Sequence, residues 1–177
     1  MADRLPPGAF VVVSGPPASG KTTLARALGR ALGLPVIAKD TIKEALMTVL
    51  PVPDVPASRL VGRASVAALL AVAAESGGAV LESVWHRSYA LDDLRRLPGE
   101  VVEVFCRCDR QVAAERYARR ASSRAAGHFD AERVIDDLWN DEVARPVGGG
   151  WPVLQIDTGT PVDLEPLVTA ILAARSG

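Results

Sequence analysis

Gly15-Pro16-Pro17-Ala18-Ser19-Gly20-Lys21-Thr22 is the stretch on which the fold turns. It matches G-x-x-x-x-G-K-[ST], a pattern that has meaning only between a strand and a helix. Upstream, Ala9 to Val13 is a Val-rich apolar run ending at Ser14-Gly15, which reads as a buried strand. Downstream, Leu24, Ala27, Leu28, Ala31 and Leu32 recur at helical spacing, and Gly33 supplies the stop. Small residues between them let the backbone curl until its N–H groups point inward, and the helix adds its partly positive N-terminus. The spacing therefore predicts a polyphosphate cradle formed by Gly15, Pro17, Ala18, Ser19 and Gly20. Lys21 can place a cation on the β- and γ-phosphates, and the Thr22 hydroxyl is positioned to ligate Mg²⁺. Thr23 joins this set or simply packs and caps the helix.

The same alternation continues outward. Pro35 to Ala38 reads as a second strand and Asp40 to Leu50 as a helix ended by Pro51 and Pro53. Pro51 to Ala57 reads as an active-site loop, and Ser58 to Ser76 as a long helix stopped by Gly77-Gly78. Ala79 to Val84 is a third strand, Tyr89 to Leu97 a helix, Val101 to Cys106 a fourth strand and Asp109 to Ser123 an Arg-rich helix. Asp130 to Asn140 follows as a helix capped by Asp130, then Val153 to Ile156 as a fifth strand and Asp163 to Ala174 as the closing helix. Five short apolar strands separated by helices predict an α/β fold: a parallel sheet with right-handed crossovers and helices on both faces. In such sheets ligands gather at the carboxyl ends of the strands.

Composition narrows the class. A chain of 177 residues fits one domain, and 49% apolar with 23% charged residues is ordinary globular usage. A net charge of −1 argues against nucleic acid as a partner. Uninterrupted apolar runs are only a few residues long, so no membrane span is expected, and Met1 to Phe10 lacks the order of a signal peptide. A cytoplasmic location is the expectation. Cys106 and Cys108 form a lone C-x-C without a second pair, which predicts reduced cysteines near a strand end rather than a metal site.

Among the strand-end residues, Glu82 is a lone acid in an apolar run, and an unpaired buried carboxylate would cost several kcal/mol. It must have a partner: Mg²⁺ through water, Thr22, the acceptor, or a structural cation. Lys43, Arg59, Arg63, Trp85, His86 and Arg87 come from segments bordering the space opposite the nucleotide, and suggest a polar or anionic acceptor. Trp85 could instead pack and His86 lie at the surface. Trp139 and Trp151 read as core or interface aromatics. Neither N-K-x-D nor a D-x-x-G after the third strand occurs, which disfavours a signalling GTPase, and the short chain leaves little room for a motor ATPase.

Val11 to Thr23, Lys39-Asp40-Thr41-Ile42-Lys43, Ala79 to Arg87 and Val104 to Arg124 together resemble the small P-loop kinases. The group is the one called AAA family ATPases of unknown substrate, similar to chloramphenicol phosphotransferase and zeta toxin, with gluconate and shikimate kinases more distant. The resemblance implies a P-loop NTPase-like three-layer sandwich over residues 1–177, sheet order 2-3-1-4-5, with a helical lid near 116–130. It implies ATP and Mg²⁺, and transfer of the γ-phosphoryl group to a small-molecule hydroxyl (antibiotic, nucleoside, sugar or nucleotide sugar). Asp40 matches the catalytic base, whose task is to take the acceptor's proton; capping its own helix is the other reading. Arg116, Arg119, Arg120 and Arg124 match the lid, where Arg116 and Arg120 would neutralise the phosphoryl group in transit and Gly127 would let the lid close, unless these arginines form a solvated face. Asp157-Thr158-Gly159 matches the backbone that passes over adenine, though a tight turn explains Gly159 equally well. A nucleotide-binding regulator with slow or no hydrolysis is the alternative from another class.

Overall fold

The computed structural model describes residues 8–121, 129 and 138–174. Strand and helix alternate along it as the apolar runs require: β1 (Ala9–Ser14), α1 (Lys21–Leu32), β2 (Val36–Ala38), α2 (Lys39–Met47), α3 (Val55–Glu75), β3 (Gly78–Glu82), α4 (Arg87–Arg95), β4 (Glu100–Arg107), α5 (Arg110–Ala121), β5 (Val153–Asp157) and α6 (Leu164–Ala173). The strands form one five-stranded parallel sheet in the order β2-β3-β1-β4-β5. This is the order that the resemblance implies, with β1 at its centre.

Both faces of β1 are buried because successive side chains point to opposite layers. Ala9, Val11 and Val13 pack with Leu24, Leu28 and Leu32 of α1 and Leu167 and Ile171 of α6. Phe10 and Val12 pack with Leu69 and Ala73 of α3 and Ala90 and Leu94 of α4. The result is three layers, helices on sheet on helices. Register then builds the site: Glu82 at the end of β3 lies opposite Val13 on one side and Ala38 on the other. One strand end is thereby placed between the loop after β1 and the helix after β2.

The helix boundaries correct two expectations. The stretch 51–57 is not wholly a loop, because α3 starts at Val55: the Asp54 carboxylate accepts a hydrogen bond from the Ala57 amide at 2.7 Å, and Pro56 sits in the first turn, where its missing N–H is not needed. The helix expected to reach Leu50 ends at Met47, ahead of the two prolines. α3 is also, among the described residues, a helix long and apolar enough by length and composition to cross a bilayer, which a count of uninterrupted runs overlooks. In the fold it packs through Val61, Leu69 and Ala73 against the sheet layer and α2. The helix expected at Asp130 to Asn140 lies largely outside the described residues, as do Arg124, Gly127 and His128.

Candidate active site

The loop between β1 and α1 is shaped by its neighbours. A Cβ on Gly15 would stand 2.6 Å from the Cys106 carbonyl oxygen of β4, so only glycine allows this approach. Ala18 (φ 57°) and Gly20 (φ 89°) lie in the left-handed region, and for Ala18 this costs about 1–2 kcal/mol. Gly20 is the N-cap of α1 and makes no side-chain capping bond, and the first turn holds no acid, so its amides keep their affinity for an anion. The Ser19 hydroxyl is buried without a hydrogen-bond partner among the described residues. An orphaned donor inside a curled, amide-rich loop fits a polyphosphate.

Lys21 is 5% exposed and its ammonium donates to the Pro16 carbonyl at 2.6 Å. Burial holds it below the ordinary lysine value; Glu82, Cys106 and Asp40 oppose that shift, while Arg120 adds to it. Glu82 shows the complement: burial pushes its carboxyl up, Lys21 and the Thr22 hydroxyl pull it down, and Asp40 adds to the rise. Thr22 Oγ1 donates to Glu82 Oε2 at 3.4 Å. Glu82, Asp40 and Arg120 thus all lie within electrostatic reach of Lys21, with Glu82 ending β3, Asp40 following β2 and Arg120 on α5. The Thr22 hydroxyl and the Glu82 carboxylate are hard oxygen donors of the kind Mg²⁺ takes beside phosphate oxygens. Among the described residues no cluster of three His, Cys, Asp or Glu could hold a metal without such help.

Asp40 does not cap α2: the N-cap is Ala38, which makes no side-chain capping bond, and the Asp40 carboxylate instead accepts from Lys39 at 2.9 Å. Of the acceptor-side residues, Trp85 is 3% exposed, packs in the layer with α3 and α4, and donates its indole N–H to the Val13 carbonyl at 3.2 Å. The structure therefore uses it as core, not as lining. Lys43 is likewise buried between α2 and α3, donating to Ser58 Oγ at 2.7 Å. His86 and Arg87 open α4; His86 is held below its ordinary value by partial burial, with Glu142 opposing and Lys39 reinforcing. Glu142, which sequence reasoning passed over, caps α4 by accepting from the Ser88 amide at 2.7 Å. Arg59 and Arg63 are exposed on α3.

The two lid arginines separate. Arg116 donates to the Thr158 carbonyl at 3.0 Å and the Gly159 carbonyl at 3.2 Å, so it braces the turn after β5 rather than the phosphoryl position expected for it. Arg120 stays within electrostatic reach of Lys21. In that turn Asp157 Oδ1 accepts from the Gly159 amide at 2.8 Å, while Thr158 Oγ1 donates to the Ser19 carbonyl at 2.5 Å. Thr158 thus ties the β5 end to the phosphate cradle.

Glu103 is the residue the sequence reading missed. It is 0% exposed in β4 and accepts from Ser14 Oγ (2.6 Å), the Val147 amide (2.8 Å), the Gly148 amide (2.9 Å) and Trp151 Nε1 (3.0 Å). The signal was present, since an acid in a strand buried on both faces demands partners as Glu82 does. Cys106 is buried, its thiol pushed up to about 12 by that burial, and Cys108 is partly exposed beside Arg116; both are reduced.

The family described as AAA domain (AAA_18) matches residues 11–135, and the chain belongs to it. Among solved structures it is similar to a provisionally assigned kinase from Chloroflexus aurantiacus j-10-fl, with 26% identity, a TM-score of 0.83, and coverage of 94% of this chain and 98% of that one. The APS kinase CysC of Mycobacterium tuberculosis, solved with AMPPNP and APS, shares the fold at 19% identity and TM-score 0.63, covering 98% of this chain and 100% of that one. A gluconokinase from Sinorhizobium meliloti 1021 does so at 22% identity and TM-score 0.60, covering 97% and 94%. No curated protein matches in sequence.

Proposed function

We propose that this protein is an ATP- and Mg²⁺-dependent kinase that moves the γ-phosphoryl group of ATP to a hydroxyl of a small molecule. The observation that carries the reading is the meeting of Lys21, Glu82, Asp40 and Arg120 around a cradle with an orphaned Ser19 hydroxyl. The fold shared with kinases that act on small molecules supports the same class.

In this scheme Gly15 to Thr22 binds the triphosphate, and Lys21 exchanges the Pro16 carbonyl for phosphate oxygens. Thr22, with Glu82 through water, would hold Mg²⁺, which supplies charge neutralisation at the β- and γ-oxygens. Asp40 takes the acceptor's hydroxyl proton as that oxygen bonds to the γ-phosphorus and the bond to ADP breaks. Arg120 faces the charge in transit, and Arg116 with Asp157 and Thr158 frames the base end of the nucleotide. His86 and Arg87 border the acceptor, with Lys43 setting α2 against α3 beneath it. In this reading α5 carries the described part of the lid, whose remaining expected residues lie outside the described ones.

The test is a panel of hydroxylated metabolites and antibiotics assayed for acceptor-dependent ADP release, with mass spectrometry of the product. A mass gain of one phosphate on an acceptor, abolished in Asp40→Asn, is the expected result. ATP binding without transfer to any member would favour the regulatory module.

A further inference from the structure

Lys39 enters the charged centre from the acceptor side and has no part in the scheme above. Its ammonium stands 2.9 Å from Oδ1 of Asp40, and its side chain is 21% exposed. Its stem crosses α3 at Gly62, where a Cβ would lie 3.8 Å from Cε. Its charge acts on both Glu82 and His86. The chain has three lysines, and the other two are buried, with Lys21 on the Pro16 carbonyl and Lys43 on Ser58.

A cation bonded to a general base works against it, because it occupies a lone pair and favours the charged carboxylate. A partly exposed pair is held weakly, and a better anionic partner can draw the ammonium off. An acceptor hydroxyl that reaches Asp40 lies within reach of Lys39, so the residue that restrains the base is also a cation beside the reacting group.

We propose that Lys39 is a gating and specificity residue: it restrains Asp40 until an anionic group of the acceptor, a carboxylate or phosphate close to the reacting hydroxyl, takes its ammonium. This rests on the kinase reading of the same site. In the step, the Lys39 ammonium trades Asp40 Oδ1 for the acceptor's oxyanion. The Asp40 carboxylate then receives the hydroxyl proton, the acceptor oxygen bonds to the γ-phosphorus, and the bridging oxygen leaves with ADP. Because the two charged ends belong to neighbouring residues and meet at 2.9 Å, hydroxyl and anion belong to one acceptor molecule and lie near each other in it. The substrate class is therefore a hydroxy acid or a hydroxylated phosphate ester.

The gate can be read with water as acceptor, without knowing the substrate. ATP hydrolysis is measured at saturating Mg-ATP while acetate or methylphosphonate replaces chloride at constant ionic strength. Wild type should respond saturably by about two- to fivefold, the factor an exposed ion pair corresponds to. The anion that saturates at lower concentration names the group. Lys39→Met should start at the stimulated rate and show no response, Lys39→Arg should keep the response, and ATP affinity by calorimetry should be unchanged in both. No saturable response in wild type, or a Lys39→Met rate at or below the wild-type basal rate, overturns the proposal. Should Lys39→Met fail to fold, wild type and Lys39→Arg still decide it. ATP bound but unhydrolysed in every protein would strike the kinase reading itself, and this inference with it.

Discussion

The two sides of the proposed catalytic centre are built differently. The nucleotide side is a short contiguous segment clamped from behind: Cys106 limits the approach at Gly15, Thr158 bonds the Ser19 carbonyl, and Glu103 fastens Ser14. Its working groups, Lys21 and Ser19, are buried. The acceptor side is assembled from the starts of α2, α3 and α4, on the flank of the sheet where β2 has only three residues, all partly exposed. Its ion pair, Lys39 with Asp40, is partly open to water, with side chains 21% and 38% exposed. A rigid cradle suits a ligand shared by many enzymes, whereas an open, thinly held wall suits one that varies.

The contrast can be broken first at the cradle. Lys21→Ala should weaken ATP binding by about 100-fold or more, since the buried ammonium is the only side-chain cation of the loop; calorimetry with Mg-ATP checks this, and near-native affinity would remove the cradle's role. Asp40→Asn should instead lower phosphoryl transfer by roughly 10²- to 10⁴-fold while leaving ATP affinity within about threefold of wild type, a split between kcat and Kd that marks the acceptor side.

Behind the cradle, Glu103→Ala strands four donors at once and should lower the unfolding free energy by about 3 kcal/mol, or a melting temperature by roughly 6–12 °C. A wild-type melting curve for this variant would show that the clamp is not structural.

The smallest effect is expected at Glu82. Burial lifts its carboxyl above the ordinary 4.5, so its contribution is undiminished below the unfolded value and is lost as pH rises through the folded one. Glu82→Gln should therefore melt with wild type near pH 4 and above it near pH 8. An equal or lower melting temperature at pH 8 would mean that Lys21 more than offsets the burial.

The cradle was legible because all of its parts lie within eight residues of sequence, flanked by a strand and helix whose periods are unmistakable. The limits of α1 and the Gly33 stop came from the same local signals. Trp85, Lys43 and Arg116 were readable as strand-end and helix residues, but their side chains turn inward or sideways to partners far away in sequence: the Val13 carbonyl, Ser58 and the turn at Thr158. The start of α3 was misplaced because three prolines outweighed the Asp54 cap in a local reading.

By itself the sequence determined the alternation of strands and helices, the anion cradle and the presence of an acid beginning the second helix, since each depends on near neighbours and on short-range backbone preferences. Only the tertiary structure decided that Glu82 stands between Val13 and Ala38, that Lys39 holds Asp40, and that Glu103 gathers four donors. The partners of Glu82 and Glu103 follow from strand order and register, which bring together residues that no local spacing relates, whereas Lys39 and Asp40 are sequence neighbours whose side-chain contact no local pattern specifies.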